Sequence, residues 1–218
     1  MPMSTASHLP QVPAEAAIDA ITGVVLAGGM GSRMGGADKG LQSYRGQPLA
    51  RHALSRLQPQ VGTCLISANR HVETYAGFGA PVVRDDIPGF AGPLAGMLAA
   101  MERCTTTWLL TVPCDVPGVP HDLAARLLHA AQKADAALAI PVVDAGDGGE
   151  ARPQPVFCLV QARLHASLRA WLTRGERRVM GWARSEQALR VAFDRPDDPS
   201  AFANINTLDE LAALNRMR

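Results

Sequence analysis

The chain has 218 residues, 47% of them hydrophobic, which is enough for one well-buried domain and short for two. Twenty-one basic residues against twenty acidic ones leave a formal charge of +1, which excludes a global field able to draw nucleic acid or an anionic membrane, so any anion site has to be local. No stretch approaches the roughly 18 apolar residues of a membrane span, and the four cysteines, Cys64, Cys104, Cys114 and Cys158, are widely spaced without a C-x-x-C pair, reading as buried free thiols of a cytoplasmic protein.

Residues 1–20 carry three prolines, no lysine or arginine and no continuous apolar core of the kind a signal peptide requires, and read as an extension ahead of a single domain over 21–218. The apolar run from Ile21 to Ala27 predicts a buried strand. Behind it, within "VVLAGGMGSRMGGADKGL", stand six glycines with Arg33, Asp38 and Lys39. A Gly-rich turn after a strand lets main-chain N–H groups approach an anion closely, although glycine clusters also mark plain surface turns. The dinucleotide fingerprint is absent, since Gly-Met-Gly-Ser-Arg-Met from Gly29 lacks the third glycine. The P-loop is absent too, because Lys39 lies between Asp38 and Gly40.

Next come a helix pattern in "PLARHALSRLQ", a strand in "VGTCLISAN", a short strand in "APVVRDD" and a helix in "GPLAGMLAAMERC". "TTWLLTVPCD" reads as a central strand, "PHDLAARLLHAAQKA" as an amphipathic helix, "AALAIPVV" and "PVFCLV" as strands on either side of the polar "DAGDGGEARPQ". "ARLHASLRAWLTRG" is a helix stopped at Gly175, "QALRVAFD" a last strand, and Thr207 with Glu210 a capping box for a terminal helix. This alternation predicts an α/β fold, one Rossmann-like domain with a mostly parallel central sheet and helices on both faces.

In such a sheet the strand ends share one edge, which gathers Asn69 and Arg70, Asp85 and Asp86, Gly92 with Pro93, and Asp115 around the Gly-rich loop. Taken singly, these are also ordinary turn and cap residues. Asp115 follows the most apolar strand, where a carboxylate is well placed to hold Mg²⁺, an ion that takes few protein carboxylates and completes its shell with water and phosphate. Cys114 adjoins it without a histidine neighbour in sequence to activate it, and packing is its simpler role.

The segments "LAGGMGSRMGGADKGL", "ANR", "VVRDD", "GPLAGM", "CDVP", "GERRVM" and "FANINTLDEL", in this order from about Ile21 to Leu214, resemble the molybdenum cofactor guanylyltransferases. The first segment alone would indicate only the wider nucleotidyltransferases, whose cytidylyl members typically read L-A-A-G where this chain has Leu26-Ala27-Gly28-Gly29. The resemblance implies transfer of GMP from GTP to molybdenum-bearing molybdopterin with release of pyrophosphate, by a monomer using Mg²⁺. It implies that Leu26, Ala27 and Gly28 hold the guanine nucleotide, Lys39 and Arg33 face its phosphates, Asp85 binds the nucleotide and Asp115 binds metal and nucleotide. Arg177, Arg178, Asn204 and Asn206 match segments on the molybdopterin side. Where the family often has asparagine, this chain has Ser67, too short to reproduce an amide's paired donor and acceptor, so that Asn69 becomes the substitute; Gln154-Pro155 stands where some members have His-Pro. A cytidylyltransferase acting on the same pterin and a non-catalytic nucleotide-binding protein that delivers cofactor are the competing readings.

Overall fold

A computed structural model describes residues 18–28, 38–87, 92–144 and 150–216. The run Ile21–Leu26 forms strand β1, every residue of it buried, because both faces of the sheet are covered. Its alternation splits the core in two. Ile21 and Val25 join one apolar cluster with helices α1 (Leu49–Leu57) and α4 (Leu123–Lys133). Val24 and Leu26 join a second cluster with α3 (Pro93–Arg103), α5 (His165–Thr173) and α6 (Val179–Ser185). Gly23 lies against α1 so tightly that a Cβ there would come within 2.8 Å of Leu57.

The remaining strands are β2 (Thr63–Ser67), β3 (Val82–Val83), β4 (Trp108–Pro113), β5 (Leu138–Val143), β6 (Cys158–Gln161) and β7 (Leu189–Phe193). Their order across the sheet is β3-β2-β1-β4-β6-β5-β7, with the short strand Arg152–Pro153 against β5. The pairings of β1 with β2 and β4, of β2 with β3 and of β5 with β7 are parallel. Strand β6 runs antiparallel between β4 and β5. The expected mostly parallel sheet is therefore present, and the chain order reverses at β1/β4, the place where such sheets open a crevice.

The short helix α2 (Val72–Ala76), helix α6 and a small hairpin pairing Ser43–Tyr44 with Gln47–Pro48 fall outside the sequence expectations. The predicted helix over 48–58 ends instead at Leu57 and tightens into a 3₁₀ turn, Gln58–Gln60. Gln60 is buried with its amide fully used: it donates to the carbonyls of Arg56 and Pro120 and accepts from Ala124 N at the start of α4. Gly175, at φ +84°, ends α5 as expected. The predicted capping box forms at the last helix, α8 (Leu208–Arg216): Thr207 Oγ1 accepts from Glu210 N at 3.1 Å, while Glu210 reaches back one residue further than usual, to Asn206 N at 2.7 Å.

At the far edge, Arg126 of α4 lies over the Phe193 ring at 3.7 Å and donates to both carboxylate oxygens of Asp198, whose side chain is only 8% exposed. Asp198 belongs to the short helix α7 (Asp198–Ala201), and its Oδ2 also takes the N–H of Arg195. Asp122 and Asp194 stand at 3.9 and 4.0 Å from the same guanidinium, so losing the more buried partner costs less than a fully orphaned charge would, and Asp198→Ala is expected to destabilise the fold by roughly 2 kcal/mol. Chemical denaturation of the purified variant, with wild-type slope and a lowered midpoint, checks this. Among the described residues, no helix is long and apolar enough to cross a membrane.

Candidate active site

A cleft of about 290 Å³ opens at the carboxyl ends of the parallel strands. Strand β1 contributes Leu26, Ala27 and Gly28; β2 contributes Ser67; the chain after β3 contributes Asp85; and β4 with its continuation contributes Pro113, Cys114 and Asp115. Helix α3 adds Gly92, Pro93 and Gly96. The opposite wall is Gln154 to Phe157, with Asn204 from the segment before α8. This wall follows from strand polarity: β6 runs against its neighbours, so the residues leading into it arrive where the parallel strands end. Buried Thr111 fixes that lead-in, donating to the Val156 carbonyl at 2.5 Å and accepting from Cys158 N at 3.2 Å.

The floor is tied down by main-chain bonds that carry the sheet pairing past the strand ends: Ala27 N to the Ser67 carbonyl at 2.8 Å and Cys114 N to the Leu26 carbonyl at 3.1 Å. Over it, Lys39 Nζ donates to Asp115 Oδ2 at 2.5 Å and to Asn206 Oδ1 at 3.2 Å. Ile205 N bonds the Asp115 carbonyl at 3.0 Å, so the C-terminal segment is stitched to the end of β4. The second carboxylate oxygen, Asp115 Oδ1, is buried and has no hydrogen-bond partner among the described residues. An acceptor in that condition is costly unless something occupies it in the working state.

Asp85 is held by Asn69 through a paired contact, Asn69 Nδ2 donating to Asp85 Oδ2 at 2.7 Å and Asp85 N donating to Asn69 Oδ1 at 3.1 Å. Asn69 thus serves the cleft through Asp85 and is not among the residues lining it, whereas Ser67 is. Gly96 explains how α3 comes so close: a Cβ there would meet Ser67 Oγ at 2.4 Å. Arg33 and Gly29 lie outside the described residues.

The residues expected on the molybdopterin side divide. Asn204 lines the cleft, and Asn206 lies beside it as the second acceptor for Lys39. Arg177 and Arg178 are not brought to the cleft lining. The Arg177 guanidinium donates to the carbonyls of Leu172 (2.8 Å), near the end of α5, and Glu176 (2.9 Å), and Arg178 precedes α6, its carbonyl accepting from Gly181 and Trp182.

All four cysteines are free thiols, as expected. Burial, reinforced by the neighbouring charges of Asp115 and Asp38, pushes the Cys114 thiol far above its ordinary range, and burial pushes Cys64 and Cys158 up to about 12. Cys114 therefore stays protonated at neutral pH and is a packed floor residue without nucleophilic character.

Sequence reasoning named most of the residues that line the cleft at the ends of β1 to β4. It missed Gly96, although a glycine inside an apolar helix pattern signals close backbone approach, and it missed Val156 and Phe157, whose only sequence signal is the strand they precede.

A family model described as the MobA-like NTP transferase domain matches residues 23–189. A molybdenum cofactor guanylyltransferase from Cupriavidus metallidurans is 55% identical over 88% of this chain and 93% of its own, and one from Ralstonia pickettii is 53% identical over 91% and 97%. Among solved structures, the molybdopterin-guanine dinucleotide biosynthesis protein A of Archaeoglobus fulgidus superposes with a TM-score of 0.69 at 21% identity, covering 90% of this chain and 97% of that one, a likeness of fold.

Proposed function

The chain belongs to the MobA-like NTP transferase domain family and within it to the molybdenum cofactor guanylyltransferases, and from that premise we propose that it transfers GMP from GTP to molybdenum-bearing molybdopterin, yielding the guanine dinucleotide cofactor and pyrophosphate. The observation that carries this reading is the Lys39–Asp115 pair at the end of β4, with Asp115 Oδ1 buried and unbonded above a ligand-sized cleft.

Attack by a terminal phosphate oxygen of molybdopterin on the α-phosphorus of GTP brings two anions together. At an effective dielectric near 20, one unit-charge pair about 4 Å apart repels by roughly 4 kcal/mol, and several such pairs meet. The site has to present positive charge before the reactants arrive. Lys39 supplies it at the phosphates, and Arg33, from the Gly-rich loop, is assigned there by its place in the sequence. The donor at Asp115 fits Mg²⁺: one carboxylate oxygen is buried and unpartnered. That suits an ion which binds one or two carboxylates and takes its other ligands from water and phosphates. When bound, Mg²⁺ neutralises charge across the phosphates and the leaving pyrophosphate.

The bare backbone of Leu26 to Gly28, with Asp85 clamped by Asn69, receives the nucleoside, while Asn204 and Gln154 face the acceptor. A phosphate oxygen is already largely ionised at pH 7, so the protein need supply neither nucleophile nor strong base; positioning and charge carry the rate, and no covalent intermediate forms.

The test is incubation with Mg²⁺, molybdopterin, molybdate and each nucleoside triphosphate in turn, with mass spectrometry of the product. Guanine dinucleotide with GTP is the expected result. Cytosine dinucleotide with CTP would make the protein a cytidylyltransferase, and bound nucleotide without product would make it a delivery protein.

A further inference from the structure

The turn that carries Lys39 is anchored from a distance. Asp38 is 7% exposed, and its Oδ1 accepts two hydrogen bonds, from Gly40 N at 3.1 Å and from the Tyr75 hydroxyl at 2.6 Å. Tyr75 lies on α2, in the connection between β2 and β3, and is fully buried with its ring edge-on to Phe78. The fit is close: a Cβ on Gly40 would lie 2.4 Å from the Tyr75 oxygen. Packing alone does not call for that oxygen, since phenylalanine would fill the same space. Burial above all, then Cys114 and the bond to Asp38, holds the Tyr75 pKa far above its ordinary value, so the hydroxyl remains a donor. Lys39 therefore projects from a turn whose flanking residues, Asp38 and Gly40, are both fixed by one oxygen-centred contact. We propose that Tyr75, acting through Asp38, is a positioning residue that holds Lys39 over the phosphate-bearing part of the cleft.

This inference rests on the assignment of Lys39 to phosphate above. The test compares GTP with guanosine, which has no phosphate, by calorimetric binding in Mg²⁺ buffer to wild type, Tyr75→Phe, Lys39→Ala and the double variant. Lys39→Ala is expected to weaken GTP about 100-fold, and Tyr75→Phe about 10-fold, the scale of one hydrogen bond to a charged group. Guanosine affinity should stay within about 2-fold in both, and the double variant should bind GTP no more weakly than Lys39→Ala alone, because a residue acting through Lys39 has nothing left to act on. Asp38→Ala, which removes the acceptor and leaves Tyr75 in place, should repeat the Tyr75→Phe pattern, so a folding defect peculiar to one variant does not decide the matter. Undiminished GTP affinity in Tyr75→Phe beside a loss in Lys39→Ala would overturn the inference and leave the function standing. So would a Tyr75→Phe loss that is equal for guanosine or that adds in full to Lys39→Ala. Undiminished GTP affinity in Lys39→Ala would remove the phosphate assignment itself, and the inference with it.

Discussion

Asp115→Asn is expected to keep the fold and lower guanylyl transfer by on the order of 10² to 10³-fold, the scale on which a preorganised electrostatic contact is lost from a transition state. Asparagine is isosteric, and the main-chain bond from Ile205 N to the residue's carbonyl does not depend on its side chain. The chemistry changes at both oxygens. An amide can offer its carbonyl oxygen to Lys39, and its NH₂ group then points where Asp115 Oδ1 now lies buried and unpaired. Two donor hydrogens in that position repel a cation instead of ligating it. Pyrophosphate release measured against Mg²⁺ concentration, on variant protein with wild-type melting, checks the assignment. Turnover near wild type at limiting Mg²⁺ would take Asp115 out of the metal site.

Gly28→Ala is expected to reduce use of GTP by roughly 10 to 200-fold, the range over which one methyl-sized change alters discrimination in a pocket, while residual use of CTP changes less. The structure makes this a clean experiment. Gly28 lines the cleft, an added Cβ would meet no described protein atom within 4 Å, and Gly28 is not among the glycines with positive φ. An alanine there meets no clash with the described residues, and on variant protein shown to be folded any loss falls on the ligand. The broad purine is hindered more than cytosine, in line with the alanine that the cytidylyl relatives typically place here. Competition assays with both nucleotides read the outcome; equal losses for GTP and CTP would send the search for base selection elsewhere in the cleft.

How much of this was legible in advance depends on the length scale of each signal. Strand β1, strand β4 and helices α1, α3 and α4 were visible because burial on one or both faces writes a long apolar pattern. Asp85 and Asp115 were visible because strand ends in a parallel sheet share an edge, so position along the chain translates into position in space, while Gly28 and Lys39 were visible through the Gly-rich segment and the family it resembles. Helix α2 was not visible: five residues are too few to show a period, and its importance rests on one hydroxyl of Tyr75 meeting Asp38. The reversed direction of β6 was hidden too, because "PVFCLV" reads the same whichever way it is threaded, and with it went the wall from Gln154 to Phe157. Arg177 and Arg178 were expected on the molybdopterin side and do not line the cleft. Adjacent cations in a family-like segment suggested an anion; in the structure the Arg177 guanidinium donates to the carbonyls of Leu172, near the end of α5, and Glu176.

The reversed strand also separates what the molecule can alter from what it cannot. The nucleotide half of the cleft is made of strand exits welded to the centre of the sheet, where a shift of Leu26 or Asp115 would disturb β1 or β4 along its whole register. The facing half, Gln154 to Phe157, is reached through the short strand Arg152–Pro153 on β5, and lengthening a connection ahead of such a strand is cheap: doubling a loop adds only about 0.6 kcal/mol of closure entropy. Insertions and substitutions there can reshape the acceptor wall while the donor wall stays still.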